Sequence, residues 1–140
     1  QLQSLHVPEN VSLAAVGYNA SAPLNVSGNV NVLGSLYSLQ QSAGIGSVLN
    51  LGNLSVGSGA LLSGHLPSAF SLGPELFASG SLTINVLNNV LNMGTISSPG
   101  DLNIYAGGNI SNQSIAGAGA ASLFSGGNLN LLAASGQFVN

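Results

Sequence analysis

Few side chains in this sequence are able to carry chemistry. His6 and His65 are its two imidazoles, Glu9, Glu75 and Asp101 are its three carboxylates, and Cys, Lys and Arg are absent. A metal site needs three or four ligands drawn from His, Cys, Asp and Glu. His65 and Glu75 share one irregular stretch and form the best pair for such a site, but we favour a loop histidine that contacts solvent or a neighbour. We therefore expect no metal and no other cofactor.

Catalytic arrangements are equally hard to build. A serine can be combined with His65 and either Glu75 or Asp101 into a triad, but serine is so abundant that this coincidence carries no information. No Gly-x-Ser-x-Gly elbow stands between a strand pattern and a helix pattern. Polysaccharide lyases and hydrolases need clustered carboxylates, which three isolated acids do not supply. The sequence predicts no catalytic residue and a protein that is not an enzyme.

The composition excludes several classes of partner. Nucleic acids and anionic membrane surfaces are bound through Lys and Arg, and this chain has neither. No apolar run approaches the roughly 18 residues that span a bilayer, because Gly, Ser or Asn interrupts every few positions. With 45% hydrophobic residues and a formal net charge of -3, the 140-residue chain is expected to fold. We predict no nucleic-acid binding and no membrane insertion.

A glycine followed by a small polar residue and an alternating apolar–polar stretch recurs along the chain. The clearest copies cover 28–33, 52–56, 80–86, 100–105 and 127–132. Their starts are about 20 to 28 residues apart, a spacing typical of the coils of a solenoid. Within each copy the period is two, so the apolar side chains face one way and the polar ones the other. Each copy therefore predicts a short, half-buried strand.

Strands this short bury too little apolar surface alone and become stable when each repeat stacks on the next. A parallel β-helix meets that need, with inward Leu, Ile and Val in one core and coils about 4.8 Å apart. The sequence thus predicts an all-β protein, a parallel β-helix (β-solenoid) with short irregular insertions and about five or six coils. We expect an irregular N-terminal segment at 1–22, solenoid repeats over 23–140, and an irregular insertion near 60–78.

Residues 100–112 read Gly-Asp-Leu-Asn-Ile-Tyr-Ala-Gly-Gly-Asn-Ile-Ser-Asn, and 125–134 read Ser-Gly-Gly-Asn-Leu-Asn-Leu-Leu-Ala-Ala. This text resembles the repeats of filamentous-haemagglutinin-like exoproteins, the passengers of bacterial two-partner secretion systems, whose repeats share the form G-(D/N)-L-x-(L/I)-x-A-x-G-x-(I/L)-x-N. Residues 24–59 and 80–96 match more loosely. The resemblance implies a right-handed parallel β-helix, a surface or extracellular location, and an adhesive or fibrous role. This segment is less charged than such repeats usually are, which favours packing against other protein.

Six asparagines begin Asn-x-Ser sequons and are candidate glycosylation sites in a eukaryotic secretory context. They are Asn10, Asn19, Asn25, Asn53, Asn109 and Asn112. In a bacterial β-helix they are instead expected at outward strand positions, where their amides stack in ladders along the solenoid axis. We favour the ladder interpretation.

Two functions fit this sequence. The first is a non-catalytic structural or adhesive β-solenoid segment of an adhesin-like exoprotein, extracellular or at the cell surface, with surface glycans as candidate ligands. The second is a self-assembling subunit of an extracellular filament or sheath, because open solenoid ends present unpaired strand edges. Phe138 and Val139 mark the candidate stacking end. The expected partners are other copies or neighbouring repeats that pack end to end or laterally.

Overall fold

Short β-strands make up the fold. A computed structural model describes residues 2–17, 24–40, 46–65, 81–114, 116–117 and 119–140. These residues form 14 strands and no helix. In chain order the strands are β1 (Leu5–Val7), β2 (Ser12–Gly17), β3 (Leu24–Val32), β4 (Ser35–Gln40), β5 (Ser47–Val56), β6 (Leu61–Ser63), β7 (Ser81–Val86), β8 (Val90–Asn92), β9 (Thr95–Ser98), β10 (Asp101–Ala106), β11 (Ile110–Asn112), β12 (Ser122–Ser125), β13 (Leu129–Ala133) and β14 (Phe138–Val139).

Every described strand pair is parallel. One sheet has nine strands in the order β13-β10-β7-β5-β8-β11-β14, with β3 beside β5 and β1 beside β3. The second has five strands in the order β12-β9-β6-β4-β2. Parallel neighbours cannot be joined by a hairpin turn and need a long crossover connection. The chain therefore visits both sheets before it returns beside an earlier strand, and the fold is all-β with parallel strands.

The nine-stranded sheet bends along its long strands. Residues 47–51 of β5 pair with β7, whereas residues 54–56 pair with β8. β3 follows the same path beside β5, with an irregular register between Val26 and Asn29. Gly52 lies at the bend, where a Cβ atom would collide with carbonyl oxygens of β3. Glycine permits the close approach of the two backbones there.

Inward side chains of neighbouring strands stack in register. Leu82, Ile84 and Val86 of β7 pair with the Leu, Ile and Ala at the matching positions of β10, and all six are at most 4% exposed. Both sheets contribute to one buried cluster, which contains only Val, Leu, Ile and Ala. Burying each larger aliphatic side chain contributes about 1.5–3 kcal/mol. The fold is therefore held by columns of aliphatic side chains, with alternate residues left for the surface.

The N-terminal segment differs from the sequence-based prediction. Residues 1–22 were expected to be irregular, yet they contain β1 and β2, which pair in register with β3 and β4. Pro8 interrupts the strand pattern only over one turn, in which the Val11 N–H donates to the Pro8 carbonyl oxygen at 3.2 Å. Pairing with neighbouring strands thus overrides a weak local signal.

The insertion expected near 60–78 lies largely outside the described residues. Its first part contains β6, which pairs with β4 and β9 and is a regular strand. Residues 66–80 are not among the residues that the structure describes. The chain takes 35 residues from Asn50 to its bonded neighbour Asn85, against 25 from Asn25 to Asn50. The extra length therefore falls in this passage of the chain.

Candidate functional site

A row of asparagine amides crosses the outer surface of the nine-stranded sheet. Asn25, Asn50 and Asn85 occupy matching register positions on β3, β5 and β7. Asn50 Nδ2 donates to Asn25 Oδ1 at 2.8 Å, and Asn85 Nδ2 donates to Asn50 Oδ1 at 3.0 Å. We call these three side chains the amide ladder. Its hydrogen bonds are those expected of stacked asparagines on a parallel sheet.

A second row of asparagines lies at the bend of the same sheet. Asn53 Nδ2 donates to Asn29 Oδ1 at 3.0 Å. From there the side-chain oxygens accept backbone N–H groups: Asn53 from Asn89 at 3.3 Å, Asn89 from Asn109 at 2.8 Å, and Asn109 from Gln137 at 2.8 Å. The asparagine oxygens thus accept backbone N–H groups at the bend, and each bond contributes about 0.5–1.5 kcal/mol. This row is structural.

A third row faces the interior. Asn92 is 1% exposed and Asn112 is 9% exposed. Asn92 Nδ2 donates to Asn112 Oδ1 at 2.8 Å and to the Ser122 carbonyl oxygen at 3.0 Å, and its Oδ1 accepts the Gly94 N–H at 3.1 Å. Asn112 Nδ2 donates in turn to Asn140 Oδ1 at 2.8 Å. We call Asn92 and Asn112 the inner row; their burial requires the pairing that they show.

The inner row corrects the expectation that Asn112 points outward. In β8 and β11 the period of two places Asn92 and Asn112 on the same side as Val90 and Ile110, and all four are buried. The asparagines that do face outward in β7 and β10, such as Asn85 and Asn103, fall on the opposite phase. The direction of each asparagine thus depends on its strand phase, which composition alone does not reveal.

A groove of about 570 Å³ lies beside the amide ladder. Besides the ladder, its lining includes Leu87, Tyr105 and Leu132, which are 72%, 40% and 54% exposed. Tyr105 pairs in register with Asn85, and Leu132 pairs with Tyr105. One outward column thus runs from three amides to an aromatic ring and then to a leucine. We call this feature the ladder groove; its described lining residues include no charged side chain.

A smaller groove of about 370 Å³ lies beyond the bend. Asn29, Asn53 and Asn89 of the second row line it, together with Ser55 and Leu91. Because the side-chain oxygens of that row hold backbone N–H groups, it has fewer acceptors to offer a ligand. The ladder groove is therefore the better candidate site.

The titratable residues singled out in the sequence have ordinary surroundings. His6 Nδ1 lies 3.4 Å from Asn31 Nδ2, and the exposed His65 hydrogen-bonds through its backbone to Ser63 Oγ. Asp101 Oδ1 accepts the Asn128 N–H at 2.8 Å, a structural contact. Glu9 is exposed in the turn after β1. Among the described residues no three of His, Cys, Asp and Glu gather as a metal site would require.

Glu75, the partner considered for His65, lies outside the described residues, as does Asn19. The other sequon asparagines have distinct positions. Asn25 belongs to the amide ladder, and Asn53 and Asn109 belong to the second row. Asn10 is exposed in the turn between β1 and β2, with a φ of 64°.

In the folded fraction secreted from a eukaryotic host, we expect a glycan at Asn10 and none at Asn112. Asn10 projects from a turn, whereas Asn112 is 9% exposed and its amide is bonded on both sides. Peptide mass spectrometry before and after enzymatic release of N-glycans measures occupancy. Asn10→Gln should abolish the glycan signal at that site, and a glycan found on Asn112 in folded protein would show that this side chain is not buried.

The candidate stacking end carries exposed apolar side chains in the described residues. Phe138 and Val139 are 46% and 37% exposed and form β14, which pairs with β11 on one side. β12, β13 and β14 stand at the ends of their sheet orders. Leu129 matches the buried Leu102 in register but is 45% exposed. This end therefore presents apolar side chains and strand edges together.

Within the part of the chain that the structure describes, no helix is long and apolar enough to cross a membrane. The chain matches no protein-family model, no curated protein and no solved structure. The features that bear on its function are therefore the strand pairing, the asparagine rows and the ladder groove.

Proposed function

We propose that the chain is a right-handed parallel β-helix that serves as a non-catalytic structural and adhesive segment of an extracellular, adhesin-like exoprotein. The observation that carries this proposal is the order of pairing. β7, β8 and β9 follow one another along the chain, and each pairs in parallel with its counterpart among β10, β11 and β12. Such a cycle suits a helical path of the whole chain, and parallel crossovers are right-handed in about 98% of cases.

The resemblance to filamentous-haemagglutinin-like repeats supports the exoprotein part of the proposal. Its apolar positions Leu102, Ile104 and Ile110 are at most 1% exposed. The glycine pair of the repeat also permits close stacking, because a Cβ on Gly107 or Gly108 would collide with atoms of residues 87–89. The repeat therefore has the composition that close stacking needs, and its remaining positions supply an Asn-rich and Ser-rich surface with a single charge, that of Asp101.

A self-assembling filament subunit is the second candidate, and the exposed apolar side chains of β13 and β14 favour it. Leu129 and Phe138 are 45% and 46% exposed at positions whose register partners are buried. Unpaired strand edges invite a further strand, and nearly uncharged surfaces do not repel one another. In this alternative a second copy covers these side chains.

Engineered disulfides test the pairing on which both candidates depend. The chain has no cysteine of its own. Thr83 and Asn103 are in-register, outward neighbours, so Thr83→Cys with Asn103→Cys places the two Cα atoms about 4.8 Å apart, within disulfide reach. Ser81→Cys with Asn103→Cys is the matched control, because Ser81 lies two residues away from Thr83, the register partner of Asn103. We expect quantitative oxidation of the first pair and little of the second; equal oxidation of both would overturn the proposed stacking.

Electron microscopy and sedimentation across a concentration series separate the two candidates. Filaments that grow with concentration support the self-assembling subunit, and Phe138→Asp should then shift assembly to higher concentration. A monomer at every concentration excludes self-assembly of this chain and leaves the structural and adhesive segment.

A further inference from the structure

We infer that the ladder groove binds a neutral oligosaccharide. The inference rests on the proposed adhesive function and gives it a ligand class and a site. The polar half of the groove is the amide ladder. An asparagine amide has two N–H donors and a carbonyl oxygen with two lone pairs. The two ladder bonds use one N–H each of Asn50 and Asn85 and one lone pair each of Asn25 and Asn50.

Every rung of the ladder therefore keeps donor and acceptor capacity for a ligand. Sugar hydroxyls are donors and acceptors at once, so one hydroxyl pair can satisfy the remaining N–H and lone pair of an amide. The rungs repeat about every 4.8 Å along the sheet. A ligand that presents hydroxyl groups at regular intervals meets the same chemistry at each rung.

The apolar half of the groove supplies a stacking surface. Tyr105 continues the ladder column and is 40% exposed, with Leu132 next in register at 54% and Leu87 in the same lining at 72%. Exposed apolar side chains gathered in one concave site mark a binding surface more often than scattered ones do. A pyranose ring has an apolar C–H face, which packs on an aromatic ring such as that of Tyr105.

The absence of positive charge in the ladder groove argues against acidic oligosaccharides as its ligands. The described lining residues are uncharged, and the whole chain has no Lys or Arg. Sulfated or sialylated sugars would therefore lack the cation that normally pairs with them. An extended peptide is also disfavoured, because it binds by adding to a sheet edge, and the groove lies on strands that are paired on both sides at β5, β7 and β10.

The dimensions suit a short sugar chain. A volume of about 570 Å³ is typical of ligand sites, which measure about 300–1,000 Å³. The column from Asn25 to Leu132 has five register positions, which span about 19 Å at the spacing of parallel strands. The ligand is therefore expected to lie along the direction in which the strands stack, with several sugar units in contact.

Titration calorimetry of the full chain tests the inference, with cellohexaose, hexa-N-acetylchitohexaose and mannohexaose as neutral probes. Sialyllactose and a heparin hexasaccharide are the acidic probes. We expect at least one neutral hexaose to bind and neither acidic probe to do so. Tyr105→Ala should weaken the binding about tenfold, Tyr105→Phe should stay within about twofold, and Leu91→Ala in the smaller groove is the matched control without effect.

Circular dichroism confirms that each variant is folded, and Leu132→Asn replaces Tyr105→Ala if the latter unfolds. The inference is overturned if no neutral hexaose binds, if the acidic probes bind as well, or if binding survives changes at both Tyr105 and Leu132. A chain that passes the disulfide register test but binds no sugar defeats the inference alone. A chain that fails the register test defeats the proposed function as well.

Discussion

Replacing Asn92 with aspartate is expected to lower the free energy of unfolding by about 3–5 kcal/mol at neutral pH. Asn92 is 1% exposed, and its Nδ2 lies 2.8 Å from Asn112 Oδ1 and 3.0 Å from the Ser122 carbonyl oxygen. A carboxylate oxygen at this position faces two other oxygens instead of accepting from donors. The Gly94 N–H remains as a partner, but the chain has no Lys or Arg to neutralise the charge.

The loss caused by Asn92→Asp should depend on pH in a defined direction. Burial beside two oxygens raises the pKa of the new carboxyl in the folded state above its unfolded value of about 3.9. The folded state then binds the proton more tightly, so stability falls as pH rises through the folded pKa. Destabilisation is therefore largest at neutral pH and recovers in acid, where the protonated oxygen can donate to Asn112 Oδ1.

Urea unfolding from about pH 4 to about pH 8 measures this effect, with Asn88→Asp as the matched control. Asn88 is exposed between β7 and β8, and a charge there should change the stability by less than about 0.5 kcal/mol. An Asn92→Asp variant as stable as wild type at pH 8 would show that the inner row is not buried as described.

Sequence reasoning predicted the strands that carry the glycine-led copies, and the structure places β3, β5, β7, β10 and β13 over them. Their alternation of aliphatic and polar residues is strong enough to define a strand locally. The strand β9 was not found, because it reads Thr-Ile-Ser-Ser and has one large apolar residue. Such a strand is stabilised by its register partners on β6 and β12. These partners lie far away in the sequence, so a short stretch of sequence around the strand does not reveal it.

The candidate site was only partly predictable. Stacked asparagines were expected, but the side each faces depends on strand phase, and this is why Asn112 was placed outward. Tyr105 and Leu132 were not singled out as site residues. The available signal was their position in the repeat, where Asn85 stands in the preceding copy. Once the register is known, Tyr105 is seen to continue the column of Asn85. An aromatic ring there, in place of a further amide, gives the ladder groove a polar half and an apolar half.

Replacing Gly94 with alanine is expected to lower the free energy of unfolding by about 3 kcal/mol, at the upper end of overpacking effects. A Cβ on Gly94 would collide with the carbonyl oxygens of both Gly57 and Ala60. Neither oxygen can retreat freely, since the Gly57 oxygen accepts the Ala60 N–H and the Ala60 oxygen accepts the Thr95 N–H, each at 3.0 Å. The added methyl group must therefore break the turn at 57–60 or push this turn away from residue 94.

The same corner is built a second time in the chain, which provides an independent repeat of the experiment. A Cβ on Gly34 would meet the carbonyl oxygens of Pro8 and Val11, which accept the Val11 and Ser35 N–H groups at 3.2 and 2.9 Å. Gly34→Ala should thus match Gly94→Ala in thermal and urea unfolding. Gly119→Ala is the control, because nothing lies within 4 Å of its Cβ position. Equal stability of all three variants would mean that the backbones at these turns do not approach closely enough to require glycine.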